Sequence, residues 1–223
     1  IVEWKEQKFL LNNIMNIKTI LTLILMITPL KVYGNFLKLN TPAKQVILYD
    51  HELKKVLFEK KSNDLMKPAS MAKIMTAYIV FDRLEEGSLS LDDRFVVSKN
   101  AWKKGGSRTF LKLHSEVTIS DLLMGLIVQS GNDAAIALAE GIAGSEEDFA
   151  IQMNQYANSL QMKNTYFTNS TGWPHEDLKT TAYDLIILTE ALINNFPKLY
   201  KLFLEKEFTF NNINQPNRNP LLI

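Results

Sequence analysis

Residues 68–80 read PASMAKIMTAYIV, in which Ser70 lies two residues after Pro68 and Lys73 lies three residues after the serine. Its apolar residues recur with helical spacing, which predicts a helix that begins at Pro68 and ends at Gly87. Side chains at i and i+3 share a helix face, so the lysine ammonium can reach the serine hydroxyl. Two roles remain open for Ser70: a first-turn residue whose hydroxyl satisfies a free backbone N–H, or a nucleophile.

Lys73 stands among apolar neighbours, Met71, Ile74 and Met75, in a helix with little polar surface. A lysine is costly to bury unless it is neutral or paired, and desolvation lowers its pKa toward the value that a general base needs. One S-x-x-K match is nevertheless expected by chance in a chain of about this length. The motif alone therefore does not assign a function.

A second candidate element, Ser130-Gly131-Asn132, separates two apolar helices. A turn with a helix cap would explain it. The same bend would also place a hydroxyl and a carboxamide side by side, where they could relay a proton and hold a substrate amide. Taken alone, the three residues favour the turn.

The composition of the 223-residue chain is that of a folded domain, with 46% hydrophobic and 22% charged residues. A formal charge of +1 gives no strong field toward nucleic acid or an anionic surface, so we expect no nucleic-acid partner. The absence of cysteine excludes disulfides and thiolate ligands. His51, His114 and His175 lie far apart without metal-ligand spacing, so we predict surface or loop histidines, no metal site and no cofactor.

The N-terminal region predicts export. Residues 15–34, MNIKTILTLILMITPLKVYG, combine a basic start at Lys18, about a dozen mostly apolar residues and small residues before a cleavage point after Gly34. This is the pattern of a signal peptide, and the apolar run is shorter than the roughly 20 residues that span a bilayer. Residues 1–14 are interpreted as an upstream extension outside the fold.

The rest of the chain predicts one α+β domain without a linker. Two short β-prone runs form a hairpin over residues 45–60, helices follow, and the tail from Phe208 begins as a strand and turn. Three further helices have a serine or threonine cap with an aspartate three residues later. These pairs are Thr118 with Asp121, Ser145 with Asp148, and Thr181 with Asp184.

From about Phe36 to its end the chain resembles the serine-type D-alanyl-D-alanine carboxypeptidases, the low-molecular-mass penicillin-binding proteins. The resemblance rests on PASMAKIMTAYIV, VSKNAWKKGGSRTFLK, DLLMGLIVQSGNDAAIALAEGIAGSEEDF, MNQYANSLQMKNTYFTNSTG and PKLYKLFLEKEFTFNNINQPNRNPLL, which occur in family order. It implies a β-lactamase/DD-peptidase-like fold, a helical subdomain plus part of an antiparallel sheet. Residues 35–223 would then be an incomplete catalytic domain.

The resemblance also implies roles for single residues. Ser70 matches the acyl-accepting nucleophile and Lys73 the base that takes its proton. Ser130 matches the hydroxyl that passes a proton to the leaving D-alanine, and Asn132 the amide that orients the acyl-enzyme. The backbone N–H of Ser70 would be one oxyanion donor. The implied partners are peptidoglycan stem peptides and, as covalent inhibitors, β-lactams, in the periplasm or at the outer face of the bacterial inner membrane. The loop Gly105–Leu111 resembles a cleft border, without assigned chemistry.

The chain departs from the family pattern in one respect, since no K-[ST]-G sequence occurs in it. In the family that segment binds the substrate carboxylate and supplies the second oxyanion N–H. Lys179-Thr180-Thr181 lacks the glycine and stands at a helix cap, so we interpret it as structural. We therefore expect a C-terminally truncated domain with missing sheet strands and weak or no activity, and membrane association stays undecided.

Two alternatives remain beside this hypothesis. A β-lactamase that deacylates with a glutamate would need an E-x-x-L-N sequence, and Glu190–Asn194, EALIN, fits superficially. A non-catalytic remnant of a split gene would keep the motifs without the activity. Carboxypeptidase and endopeptidase reactions share all of these motifs, so the sequence does not choose between them.

Overall fold

The computed structural model describes residues 39–222, and its strands form three antiparallel pairs. The predicted signal segment and the extension before it lie outside the described residues. The predicted hairpin is confirmed, and it has a register irregularity between Leu48 and Tyr49. The strands are β1 (Val46–Asp50), β2 (Lys55–Lys60), β3 (Arg94–Val96), β4 (Glu116–Thr118), β5 (Glu207–Phe210) and β6 (Ile213–Pro216).

Six α-helices lie between these strands in the described part of the chain. They are α1 (Lys73–Glu85), α2 (Lys99–Lys103), α3 (Ile119–Gln129), α4 (Asn132–Ala143), α5 (Glu146–Ser159) and α6 (Ala182–Asn195). Three 3-10 segments, Ala69–Ala72, Leu199–Leu204 and Pro220–Leu222, complete the fold. None of the described helices is both long and apolar enough to cross a membrane.

Helix α4 lies at the centre of the core and contacts α1, α2, α3 and α5. Its first eight residues are all buried and four of them are alanines, whose small side chains let the neighbouring helices approach closely. At Gly141 a Cβ atom would lie 2.1 Å from the Phe95 ring, so the glycine makes room for β3. The SGN motif thus opens the most buried helix of the molecule.

The three predicted helix caps are confirmed. The side-chain oxygens of Thr118, Ser145 and Thr181 accept hydrogen bonds from the backbone N–H three residues later, at 3.1, 3.0 and 3.0 Å. Each satisfies one N–H group that a helix start leaves without a partner. Lys179-Thr180-Thr181 is therefore a structural segment at the start of α6, as its sequence predicts.

The helix predicted from Pro68 to Gly87 is confirmed in place, with one difference at its start. Residues 69–72 form a 3-10 turn before the α-helix begins at Lys73, and Ala69 in this turn has a left-handed conformation with φ +48°. Gly87, with φ +73°, follows the end of the helix as predicted. The predicted strand and turn in the tail are also confirmed, with Asn211 and Asn212 at positive φ in the turn between β5 and β6.

Candidate active site

Ser70 lies in the 3-10 turn that leads directly into α1. Pro68 precedes the turn with φ −67°, which suits a helix start. Ala69 has φ +48°, which costs a non-glycine residue about 1 to 2 kcal/mol. Ser70 itself is exposed, and its backbone N–H meets no acceptor within residues 39–222. Both its hydroxyl and its N–H are therefore available to a bound molecule.

Lys73 is the buried cation of this site, with 5% of its surface exposed. Its Nζ donates hydrogen bonds to the Thr171 carbonyl oxygen at 2.9 Å and to Ser70 Oγ at 3.4 Å. No carboxylate among the described residues forms a salt bridge with it. Burial lowers the pKa of Lys73 to about 8, helped by Arg218 and opposed by Asp133 and Glu146. The ammonium can thus lose its proton near neutral pH.

Ser130 reaches the same site from the other side. It ends α3 in a left-handed conformation, φ 57° and ψ 39°, which turns the chain sharply before Gly131 and α4. Ser70, Lys73 and Ser130 line one cavity of about 120 Å³. Its remaining lining is apolar except for the backbone, and comprises Ile74, Ala77, Leu126, Ile127 and Phe203. The fold therefore brings two hydroxyls and one buried amine to a largely apolar cleft.

Asn132 lies beside this cavity and does not line it. Its side-chain Nδ2 donates to the Gly105 carbonyl oxygen at 2.8 Å, and its backbone N–H donates to the Ser107 carbonyl oxygen at 2.8 Å. Gly106 passes so close that a Cβ atom there would lie 2.7 Å from Asn132 Nδ2. Asn132 therefore holds the loop at Gly105–Leu111 in place, and its amide oxygen is the part that remains for another molecule.

The fully buried carboxylate of Asp133 fixes the same loop to the start of α4. Its two oxygens accept hydrogen bonds from the backbone N–H groups of Thr109, at 2.8 Å, and Leu111, at 3.1 Å. The Thr109 side chain then packs over Gly131, where a Cβ atom would lie 2.3 Å from Thr109 Oγ1. The glycine of the SGN motif is thus required by this close approach.

The sequence profile of the D-alanyl-D-alanine carboxypeptidase family matches residues 36–223. The chain belongs to the D-alanyl-D-alanine carboxypeptidase family. The predicted family and the predicted α+β fold class are both confirmed.

Members of the carboxypeptidase family resemble the chain over most of its length. D-alanyl-D-alanine carboxypeptidase DacC of Escherichia coli is 44% identical over 189 residues, which are 82% of this chain and 47% of DacC. The crystal structure of penicillin binding protein 5 from Haemophilus influenzae superposes with a TM-score of 0.78 at 37% identity, over 82% of this chain and 55% of that one. The chain spans about half the length of the curated relatives it matches.

A second similar structure contains a bound β-lactam. Penicillin-Binding Protein D2 from Listeria monocytogenes in the ampicillin-bound form has a TM-score of 0.73 at 25% identity, over 82% of this chain and 75% of that one. A family member with this fold therefore binds a β-lactam.

Two contributors to this candidate site were not found from the sequence. Thr171 acts through its backbone carbonyl, which gives no signal in a residue pattern. Arg218 approaches through the C-terminal segment: its N–H donates to the Val128 carbonyl oxygen at 3.2 Å and its guanidinium hydrogen-bonds Ser107 Oγ. Arg218 lies in a turn-rich tail far from Lys73 in the sequence, and no local pattern predicts that the two are close.

Glu190, the residue considered for a β-lactamase, points elsewhere. Its carboxylate hydrogen-bonds His51 and accepts a hydrogen bond from Lys54 Nζ at 2.7 Å, and it does not line the cavity of Ser70. Burial raises the pKa of Glu190, but the hydrogen bonds from Lys54 and His51 outweigh it and hold the pKa below its usual value. Glu190 therefore joins α6 to the β1–β2 turn.

Proposed function

We propose that this chain carries the acyl-transfer machinery of a serine-type D-alanyl-D-alanine carboxypeptidase that acts on peptidoglycan stem peptides. The observation that supports the proposal most directly is the buried, unpaired Lys73 ammonium, whose pKa of about 8 makes it a usable base 3.4 Å from Ser70 Oγ. Membership of the carboxypeptidase family supports the substrate class.

In the proposed reaction, neutral Lys73 takes the proton of Ser70 Oγ as this oxygen attacks the carbonyl carbon of the peptide bond between the two D-alanines. The Ser70 backbone N–H donates to the developing oxyanion. Ser130 passes a proton to the leaving amine, which departs as free D-alanine. Asn132 orients the acyl-enzyme through its amide oxygen, since its Nδ2 is engaged by Gly105.

Water then attacks the ester carbonyl and frees Ser70. The cavity lining beside Ser70 is mostly apolar, which strengthens the electrostatic interactions of Lys73 and limits how many waters surround it. A β-lactam would enter by the same first step and leave an acylated Ser70. β-Lactams are therefore the proposed covalent inhibitors.

The activity expected of the 223-residue polypeptide itself is weak or absent. No K-[ST]-G segment occurs within it to hold the substrate carboxylate and to supply a second oxyanion N–H. Loss of one oxyanion donor typically costs about 3 kcal/mol of transition-state stabilisation. We expect slow acylation of Ser70 and little release of D-alanine from a pentapeptide.

The test is labelling of the purified chain by a fluorescent penicillin, compared with Ser70→Ala and Lys73→Met variants. Slow labelling of the wild-type chain that disappears in both variants supports the proposal. Label retained by Ser70→Ala would show that another residue is the nucleophile. A wild-type chain that is labelled no more than Ser70→Ala would favour the non-catalytic alternative, a remnant of a split gene.

We also propose that the protein is exported, to the periplasm or to the outer face of the inner membrane. The proposal rests on the signal-like residues 15–34. Fusion of residues 15–34 to a reporter that is active only after export would test it, with Ile24→Arg and Leu25→Arg substitutions together as the non-exported control. Equal reporter activity in both fusions would contradict export by this segment.

A further inference from the structure

The Lys73 ammonium is held by a backbone carbonyl of the loop 168–173. The shorter of the two hydrogen bonds from Lys73 Nζ, 2.9 Å, goes to the Thr171 carbonyl oxygen, and the other, 3.4 Å, goes to Ser70 Oγ. A carbonyl has no side chain that could be exchanged, so its direction depends wholly on the conformation of the loop. What fixes that loop also fixes where the lysine nitrogen lies relative to Ser70.

Asn169 organises this loop through its side-chain amide. Its Oδ1 accepts hydrogen bonds from the Thr171 N–H at 3.2 Å, from Thr171 Oγ1 at 2.8 Å and from the Trp173 N–H at 2.8 Å. Its Nδ2 donates to the Trp173 carbonyl oxygen at 3.0 Å. One side chain therefore binds the backbone before and after the Thr171–Gly172 peptide unit, the unit whose carbonyl accepts from Lys73.

Close backbone contact joins the same loop to the turn that carries Ser70. Gly172 has φ +76°, and a Cβ atom there would lie 1.7 Å from the Ala69 carbonyl oxygen. On α1, Thr76 Oγ1 donates to the Ser170 carbonyl oxygen at 2.8 Å. The loop 168–173 is thus docked on both the 3-10 turn and α1, between which the Lys73 side chain emerges.

We infer that Asn169 is a positioning residue that acts through the Thr171 carbonyl to hold the Lys73 ammonium beside Ser70. The inference rests on the proposed function in that it takes Lys73 as the base for Ser70. It assigns no contact between Asn169 and a substrate. Without the Asn169 amide, the Thr171 peptide unit is free to rotate and its carbonyl oxygen leaves the lysine.

The charges that act on Lys73 come from three elements. Arg218 of the C-terminal segment lowers the lysine pKa, whereas Asp133 on α4 and Glu146 on α5 raise it. Glu146 is itself tied to the loop, because its Oε1 accepts hydrogen bonds from the Ser170 N–H at 3.1 Å and from Ser170 Oγ at 2.6 Å. An experiment must therefore separate the carbonyl contact from a displacement of Glu146.

The experiment measures the titration of Lys73 by NMR in the full 223-residue chain labelled with ¹³C at the lysine ε-carbon. Lys73→Met identifies the resonance. A carbonyl acceptor favours the charged amine, so Asn169→Ala is expected to lower the titration midpoint by about half a pH unit or more. An unchanged or raised midpoint in folded Asn169→Ala would overturn the inference, since a raised value would mean that the loop mainly excludes water.

Asn154→Ala is the matched control. Asn154 also makes three hydrogen bonds to backbone groups, to the Ala150 and Phe167 carbonyl oxygens and from the Phe167 N–H, but none lies at Lys73. It is expected to lower the melting temperature comparably and to leave the Lys73 midpoint unchanged. A shift equal to that of Asn169→Ala would mean that any loosening of this region acts on the lysine, and the specific role of Asn169 would be lost.

Ser170→Ala separates the second route, because it removes the hydroxyl contact to Glu146 and keeps the Thr171 carbonyl. We expect a smaller shift than in Asn169→Ala; an equal shift would assign the effect to Glu146 and overturn the inference. The readout requires no turnover. A chain that shows the expected Lys73 shifts but no Ser70 labelling would uphold the positioning role and refute the proposed acylation of Ser70. Labelling of Ser70 without the expected Lys73 shifts would uphold the acylation and overturn the positioning role.

Discussion

Two lysines of this chain occupy opposite environments. Lys73 has 5% of its surface exposed, donates to a carbonyl and a hydroxyl, and has a pKa lowered to about 8. Lys54, in the turn between β1 and β2, has half of its side chain exposed and pairs with Glu190 at 2.7 Å. The first lysine is buried without a carboxylate partner and the second is solvated with one.

The difference separates a chemically useful cation from a structural one. Burial without a compensating charge destabilises the ammonium form of Lys73 and lowers its pKa, which suits the base role proposed for it. A solvated ion pair costs little and contributes little. The sequence offered two candidate motifs, S-x-x-K at Ser70 and E-x-x-L-N at Glu190. Only the residues of the S-x-x-K motif line the cavity.

The largest expected effect follows from Lys73→Met, which removes the buried charge and keeps an apolar side chain of similar length. At pH 7 the free energy of unfolding should rise by at most about 3 kcal/mol, because a pKa lowered from 10.5 to about 8 measures the cost of charging the buried amine. The Thr171 carbonyl, left without its donor, reduces this gain. Chemical denaturation at pH 7 measures the change.

Lys54→Met is the control for that comparison, since it also exchanges a lysine for methionine. It should change the free energy of unfolding by less than about 1 kcal/mol, in the destabilising direction, because it breaks an exposed ion pair. Destabilisation by Lys73→Met, or equal effects of the two substitutions, would mean that the buried charge of Lys73 does not destabilise the folded state.

The pH dependence of stability is the next largest effect. The folded-state pKa of Lys73 lies below its unfolded value, so below pH 8 the unfolded chain holds the proton more strongly and the full cost is present. The cost declines as the pH rises from about 8 to 10.5. The stability advantage of Lys73→Met over the wild-type chain should therefore shrink by about 2 kcal/mol between pH 7 and pH 9.5. A constant or widening difference in denaturation experiments would contradict the lowered pKa.

The sequence predicted the features of the site that depend on neighbours along the chain. Ser70 and Lys73 are three residues apart at the start of one helix, and each of the three caps also joins residues three apart. Local helix geometry therefore determines both features. Asn169 and Thr171 were not predicted, because a turn that aims a backbone carbonyl leaves no pattern of side chains. The pairing of Glu190 with His51 joins positions 139 residues apart, and only the tertiary packing of α6 on β1 brings them together.

The smallest expected effect concerns Glu190→Gln, which removes the carboxylate charge that pairs with Lys54 and His51 and keeps the shape of the side chain. It should lower the free energy of unfolding at pH 7 by about 0.2 to 1 kcal/mol, less at high salt, since Lys54 is half exposed. The pKa of Glu190 is held below its ordinary 4.5, so this contribution is present above that pH and is lost as the pH falls through the folded-state value. Denaturation at pH 7 and pH 3 tests the sign, and labelling of Ser70 should not change. A loss of labelling in Glu190→Gln would show that Glu190 influences Ser70, although Glu190 and Lys73 share no hydrogen-bond partner among the described residues.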